Sequence, residues 1–310
     1  MSLQNKRIIL KTLFFALFLL APVFDIFRFD LYDKQLIFLG NPWILDLSDK
    51  DTMDMTIAII IKVFMPIFLV IGGGVFISYK YGRLYCGWLC PHFSIVEMVN
   101  NLMRRASGKL SMWQKKTMQN TQDDGLKITP HKKWWIPTVL VSIFFSFTWS
   151  VALLTYLLPP DVIYYNLYNF ALTQYQFNFI VVATIIFSLD FIFFRHLFCR
   201  FFCAIGFFQS IAWMANKKAL VVGWNRNNAK ICNNCDVSCE HACPMRLKPR
   251  GHKRIMFTCT QCMKCIDSCN KAQQNTKNKA PLKMLQNDCA LDTSNRGLGI
   301  RPDVPDNCFE

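Results

Sequence analysis

Apolar positions in this chain gather into four long runs separated by polar stretches. The runs are Ile8 to Phe27, Ile57 to Ser78, Trp134 to Leu158 and Phe177 to Phe194, each near the ~20 residues that a helix needs to cross hydrocarbon. The first follows Lys6 and Arg7 as a signal peptide would, yet no small-x-small cleavage site precedes Asp25, so it reads as an uncleaved anchor. Shorter stretches of helical period follow runs two and four. One is Ile95, Val96, Val99, Leu102 and Met103, ending in Arg104 and Arg105. The other is Phe207, Phe208, Ile211, Ala212 and Ala215, ending in Lys217 and Lys218. Both are expected to lie along lipid headgroups.

Charge gives the runs a direction, because Lys and Arg in short flanks stay on the cytoplasmic side. Only Arg28, Lys34 and Lys50 lie between runs one and two, beside six Asp, and none lies between runs three and four. By contrast, Lys80, Arg83, Arg104, Arg105, Lys109, Lys115, Lys116, Lys127, Lys132 and Lys133 separate runs two and three, and the segment from Arg195 onward carries eighteen Lys and Arg. Both termini are therefore expected inside a bacterial cytoplasmic membrane, and the net charge of +15 needs no nucleic acid to explain it. Depth counting along the runs sets Asp25 near Lys62, and Asp190 near Lys11 or Arg195, because charges in hydrocarbon seek partners.

The composition agrees: 53% hydrophobic, 18% charged and a mean hydropathy of +0.22 mean apolar spans averaged with a polar region. Disorder is excluded by that apolar fraction. Fourteen Cys in a chain of 310 residues read as metal ligation rather than as a small disulfide scaffold.

Two of the Cys groups are copies of one unit. Cys86-Gly-Trp-Leu-Cys90-Pro91-His92 follows run two and Cys199-Arg-Phe-Phe-Cys203-Ala204 follows run four, at one offset (199 − 86 and 203 − 90 are both 113). Residues four apart share a helix face, so each pair presents two sulfurs together. Four such thiols, Cys86, Cys90, Cys199 and Cys203, suit transient copper as Cu(I) or a thiol–disulfide couple, with His92 as a further donor. Small apolar Cys at helix ends is the plainer alternative. Pro91, without an amide hydrogen, fits a chain turning off its helix.

Beyond residue 218 stands the strongest pattern. Cys259-x2-Cys262-x2-Cys265-x3-Cys269 has the spacing of a bacterial [4Fe–4S] run, and Cys232-x2-Cys235-x3-Cys239-x3-Cys243-Pro244 supplies the second. In such pairs of runs the last Cys of each crosses to the other cluster. One cluster is then expected on Cys232, Cys235, Cys239 and Cys269, the other on Cys259, Cys262, Cys265 and Cys243. Two zinc ions, each in a four-cysteine site, are the competing reading, although zinc usually takes two short Cys-x-x-Cys hooks rather than four-Cys runs. Cys289 and Cys308 stand apart and are expected to be free thiols. Lys248, Arg250, Lys253 and Arg254 read as a solvated basic face, and Ala106 to His131 as a flexible loop.

Four spans, the two Cys pairs and the two-cluster tail resemble the membrane polyferredoxins of the NapH, NosR and CcoG (FixG or RdxA) group. Gly82-Arg83-Leu84-Tyr85-Cys86-Gly87-Trp88-Leu89-Cys90-Pro91 with Glu97, then Phe208-Gln209-Ser210 and Leu220-Val221-Val222, are most similar to CcoG, the cytochrome oxidase accessory branch. That branch implies reduction of Cu(II) to Cu(I) during oxidase assembly. The NapH and NosR branches imply electron flow between quinol and a periplasmic reductase. The chain ends at Glu310 without the immunoglobulin-like domain of CcoG, a length nearer NapH, and Ala204 stands where CcoG has Pro.

The expected architecture is an all-α bundle of four transmembrane helices with a small cytoplasmic α+β ferredoxin-type domain. Its parts are residues 1–218 in the membrane, 219–285 around two [4Fe–4S] clusters and an irregular tail at 286–310. The expected work is electron relay between the membrane, through quinol or the thiol pairs, and a respiratory oxidase or reductase. An enzymatic Cu(II) reductase or quinol dehydrogenase role and a non-catalytic redox sensor or metal scaffold both remain open at this point.

Overall fold

The computed structural model describes residues 2–43, 52–109, 117–274, 280–295 and 306–309. The expected charges Asp46, Asp49, Lys50, Asp51, Lys115 and Lys116 lie outside the described residues. The chain divides into two compact units, one of residues 1–11, 75–139 and 193–310, the other of residues 12–74 and 140–192. That division cuts through the long helices and does not fall at residue 218.

Among the described residues, three helices are long and apolar enough to cross a membrane: Thr56–Tyr81, Lys132–Thr155 and Gln174–Phe194. The first is apolar on every side, and Phe68, Leu69, Val70 and Ile71 are each more than half exposed, which in water would be prohibitive and in lipid is ordinary. The first apolar run behaves differently from expectation. Its helix, Leu3–Leu20, stops short of the run's end, because Pro22 lacks an amide hydrogen and Asp25 takes a left-handed φ of 49°. Phe27 instead opens a strand.

In the unit of residues 12–74 and 140–192, β1 (Phe27–Asp30), β2 (Gln35–Phe38) and β3 (Asn41–Trp43) form an antiparallel meander, with Phe27 opposite Phe38 and Leu36 opposite Trp43. The Phe29 and Leu31 amides donate to the carbonyls of Tyr156 and Leu157, tying β1 to the end of the Lys132–Thr155 helix. Asp25 pairs with Arg28, which also reaches Asp30 at 2.7 Å. Ser142, Ser146 and Ser150 make a buried stripe on the Lys132–Thr155 helix, each of the last two returning its hydroxyl to the carbonyl one turn back. Small side chains there let Thr184 approach to 3.2 Å from Ser150. Thr173 and Gln176 form a capping box that starts the helix bearing Thr184.

The other unit holds the Cys-rich chemistry. Its core joins Phe93, Trp213, Val221, Val222, Met245, Met256, Leu282 and Leu285, and β4 (Val221–Trp224) pairs antiparallel with β5 (Leu282–Leu285). The Pro91–Ser107 helix buries Ile95, Val96, Val99 and Met103. Its apolar face packs on protein, not on headgroups as expected, whereas Ala204–Ala215 leaves Phe207, Phe208 and Ile211 exposed.

Two other expectations change here. Residues 117–131, although mostly exposed, are tied to the Cys runs: Asp123 and Asp236 exchange amide bonds, and Ser268 donates to Asp124 at 2.7 Å. The tail is not irregular where described, since Asn287–Ala290, Leu291–Asn295 and Asp306–Phe309 are helical turns. Cys289 and Cys308 are joined in a disulfide against the core rather than free.

Candidate metal centres and membrane-edge thiols

Each ferredoxin-type Cys run lies on a tight loop followed by a short helix, and the loops carry left-handed residues beside the sulfurs: Val237 (φ 64°), Arg246 (φ 55°), Gln261 (φ 46°) and Met263 (φ 59°). Such turns aim successive amides into one concavity, the arrangement suited to an anionic cluster. The Leu247 amide points at Cys243 Sγ across 3.4 Å.

Two cavities result. One spans about 370 Å³, its open mouth included, and is lined by Cys243, Cys259, Cys262 and Cys265 with Val222, Met245 and Met256. The other spans about 360 Å³, likewise with its mouth, and is lined by Cys232, Cys235, Cys239 and Cys269 with Arg250 and Gln273. The last Cys of each run therefore lines the cavity of the other run. A zinc ion in a four-cysteine site, with Zn–S near 2.3 Å, would draw its sulfurs to about 3.8 Å of one another. Among the described residues, no three of these sulfurs come within 4.8 Å; the one triad that does is Asp123, Cys235 and Asp236. The donor sets are all-sulfur and spaced for something larger than one ion, which fits [4Fe–4S] groups. Burial, reinforced by the neighbouring sulfurs, pushes the Cys239 and Cys243 thiols up to about 12, so loading releases protons.

The membrane-edge Cys differ from the expected helix-face pairs. Cys86 lies in the Leu84–Trp88 helix and Cys199 in a π-helical stretch, Phe198–Phe202. Cys90 and Cys203 stand outside them, each as the extended N-cap of the next helix, with Pro91 and Ala204 as first helical residues. The chain turns off the helix between the two sulfurs of each pair, as Pro91 favours. Cys86, Cys90 and Cys203 lie within electrostatic reach of one another, and Arg83 faces Cys86, Cys203 and Cys199. His92 Nδ1 is 3.7 Å from Cys199 Sγ, and Cys86 Sγ is 3.2 Å from Gln209 Oε1. Burial, with Cys90 nearby, pushes Cys86 up to about 12. A bare thiolate is thus disfavoured there, whereas a soft cation would displace the proton.

Several working residues carried little signal in the sequence. Glu97, buried beside the Pro91–Ser107 core face, takes Arg7 at 2.7 Å, Lys11 and Lys264 on one carboxylate. Burial alone would raise that carboxyl, but Lys264, Lys11 and Arg7 together hold it well below the usual range. Lys11 was paired with Asp190 by depth; its carboxylate here is Glu97. Arg195 reaches Asn100 Oδ1 at 3.2 Å. Lys253, expected on a solvated face, is buried and donates to the carbonyls of Trp213 and Asn216, closing the Ala204–Ala215 helix. The first repeat also docks on the second Cys run: Trp88 Nε1 donates to Gln261 O at 3.1 Å, and Gln4 Nε2 to Cys262 O at 3.1 Å.

Comparison with known proteins adds a consistent result. A family model described as a 4Fe-4S binding domain matches twice, at residues 63–109 and 176–220, which are the two membrane repeats. The chain is 24% identical over 270 residues to an uncharacterized protein of Methanocaldococcus jannaschii, covering 87% of this chain and 94% of that one. It is 21% identical over 211 residues to the putative electron transport protein YccM of Escherichia coli, covering 64% of this chain and 52% of YccM. Against the regulatory protein NosR of Stutzerimonas stutzeri it is 24% identical over 220 residues, covering 67% of this chain and only 25% of NosR. No solved structure matches. With the iron–sulfur match falling on both copies of the internal repeat, and an electron transport protein and NosR among the relatives, the chain is similar to the NapH- and NosR-like membrane polyferredoxins.

Proposed function

We propose that this chain holds two [4Fe–4S] clusters, on Cys243/Cys259/Cys262/Cys265 and on Cys232/Cys235/Cys239/Cys269, and passes electrons between them and the membrane through Cys86, Cys90, Cys199 and Cys203. The observation that carries the reading is the pair of four-Cys cavities with exchanged last ligands. When bound, such clusters supply one-electron chemistry at low potential. The protein's own part is to fix the donors on left-handed turns, exclude water with Val222, Met245, Met256 and Leu282, and keep the thiol pairs next to Arg83.

The Leu3–Leu20 helix serves as a fourth membrane helix in this reading, with both termini and both clusters on the cytoplasmic side of a bacterial membrane. Soft sulfur donors suit Cu(I), so in this reading Cu(II) is the terminal acceptor and takes one electron to give Cu(I) for a respiratory oxidase under assembly. A quinol link to a respiratory reductase is the second reading, the one that the resemblance to the NapH and NosR branches implies.

Anaerobic purification in detergent, with iron and sulfide analysis and low-temperature EPR before and after quinol and then Cu(II), tests both. About eight Fe per chain, with a reduced signal quenched by Cu(II) in the native chain but not in Cys86→Ser/Cys90→Ser, supports copper reduction. Reduction by quinol that ignores those substitutions supports the quinol link. Two Zn and no EPR signal would end the electron-transfer reading.

A further inference from the structure

The two cavities stand in opposite electrical surroundings within one compact unit. Beside Cys243/Cys259/Cys262/Cys265 the side chains are cationic. Arg83 is 1% exposed; its Nε donates to Ser210 Oγ at 2.5 Å and its Nη1 to Cys199 O at 2.9 Å, while Nη2 has no hydrogen-bond partner. Its guanidinium lies within electrostatic reach of Cys259 as well as of the membrane-edge thiols. Arg246 sits in the turn closed by its own amide on Cys243 O at 3.1 Å, faces Cys243, and also leaves Nη2 unpaired. No carboxylate among the described residues pairs with either arginine. Lys264, between Cys262 and Cys265, belongs to a group of three cations sharing the single carboxylate of Glu97.

Beside Cys232/Cys235/Cys239/Cys269 the balance is acidic. Asp123 and Asp236 each bring an oxygen within 4.8 Å of Cys235 Sγ. Asp124 accepts from Ser268, the neighbour of Cys269. Arg250 faces Cys239 and Cys232 but is already paired with Glu240 at 3.1 Å.

Reduction adds one negative charge to a site. Backbone amides face sulfurs at both sites, so the side-chain charges decide: uncompensated cations favour that charge and carboxylates oppose it. Burial of Cys262 and Cys265 pulls the other way. The same exclusion of water, however, strengthens the attraction of Arg83 and Arg246, which are not neutralised, so the cations win.

We propose that these fixed charges order the two centres, the Cys243/Cys259/Cys262/Cys265 site being the more oxidising. The proposal rests on the two-cluster reading above. In the half-reduced chain one electron leaves the Cys232/Cys235/Cys239/Cys269 site and is gained by the other, with no proton or ligand moving. The electron then rests next to Arg83 and the membrane-edge thiols, so the downhill direction runs toward the membrane.

The test is an anaerobic redox titration of the full chain in detergent, poised with dithionite and followed by EPR, with iron and sulfide measured on every sample. Two one-electron waves are expected. Arg246→Gln and Arg83→Gln each lower the upper wave by about tenfold in the electron partition, about 59 mV for one electron. Arg83→Lys keeps the charge and holds the upper wave near its original place. Asp236→Asn raises the lower wave. Should Arg83→Gln lose iron, Arg246→Gln and Asp236→Asn decide alone. Arginine variants that move the lower wave, or that move neither while retaining full iron, overturn the ordering and leave the two-cluster reading intact. A native chain without iron overturns both, and the iron analysis separates that case.

Discussion

The two membrane repeats share a motif and do different work. At the position where the first has Glu97 the second has Ser210, 113 residues on, and where the first has Gly87 the second has Arg200. Glu97 gathers Arg7, Lys11 and Lys264 from the N-terminal helix and the cluster-bearing helix. Ser210 instead makes a neutral bridge, accepting from Arg83 and donating to Phe257 O at 2.6 Å. Gly87 lies so close to the second Cys run that an added Cβ would meet Thr260 O at 2.0 Å. Arg200 is half-buried with its guanidinium 5.2 Å from the Phe201 ring. The two repeats carry equivalent Cys pairs, and the first meets the second Cys run through charge and close backbone approach, the second through neutral hydrogen bonds.

The largest break in that contrast is Glu97→Gln. It leaves three cations gathered around a neutral amide, and removing one member of a buried ionic group costs about 3–5 kcal/mol. The apparent Tm of the detergent-purified chain should fall steeply, and a fall no larger than that of Ser210→Ala would erase the distinction between repeats. Acid should imitate the change. The folded Glu97 carboxyl lies below its unfolded value, so its contribution is complete above about pH 4.3 and is lost as pH falls toward the folded value. Melting between pH 7 and pH 3 should show that loss in the native chain and not in Glu97→Gln.

Gly87→Ala comes next. Its obstacle is a backbone carbonyl rather than a flexible side chain, so the first repeat must shift away from Thr260, at about 1–3 kcal/mol. Hydrogen exchange of the Thr260–Cys262 amides should rise in the same variant. Unchanged exchange there would show that the first repeat does not hold the cluster run.

What the sequence revealed follows the range over which each signal acts. Sulfur spacing is local, so Cys259 to Cys269 and Cys232 to Cys243 could be read directly, and the equal offset exposed the repeat. Helix ends were less legible: the apolar run to Phe27 concealed the turn at Pro22, since Val23, Phe24, Ile26 and Phe27 continue its apolar character past the turn. Partners across sequence were illegible. Nothing local to Glu97 announces Arg7, Lys11 and Lys264, and nothing local to Lys253 announces the carbonyls of Trp213 and Asn216. Cys289 and Cys308, nineteen residues apart with no motif, gave no sign of their bond.

The smallest effect belongs to Arg200→Ala, the counterpart of Gly87→Ala. The charge stacked over Phe201 is worth about 0.5–1 kcal/mol at an exposed site, and position 200 has room for a side chain that position 87 lacks. Melting should therefore drop by much less than in Gly87→Ala, and exchange at Thr260–Cys262 should not change. The pair of substitutions asks one question of two equivalent positions. If Arg200→Ala loosened the second Cys run as much as Gly87→Ala does, both repeats would bear on it alike, and the contrast between ionic, close-backbone contacts in the first repeat and neutral contacts in the second would fail.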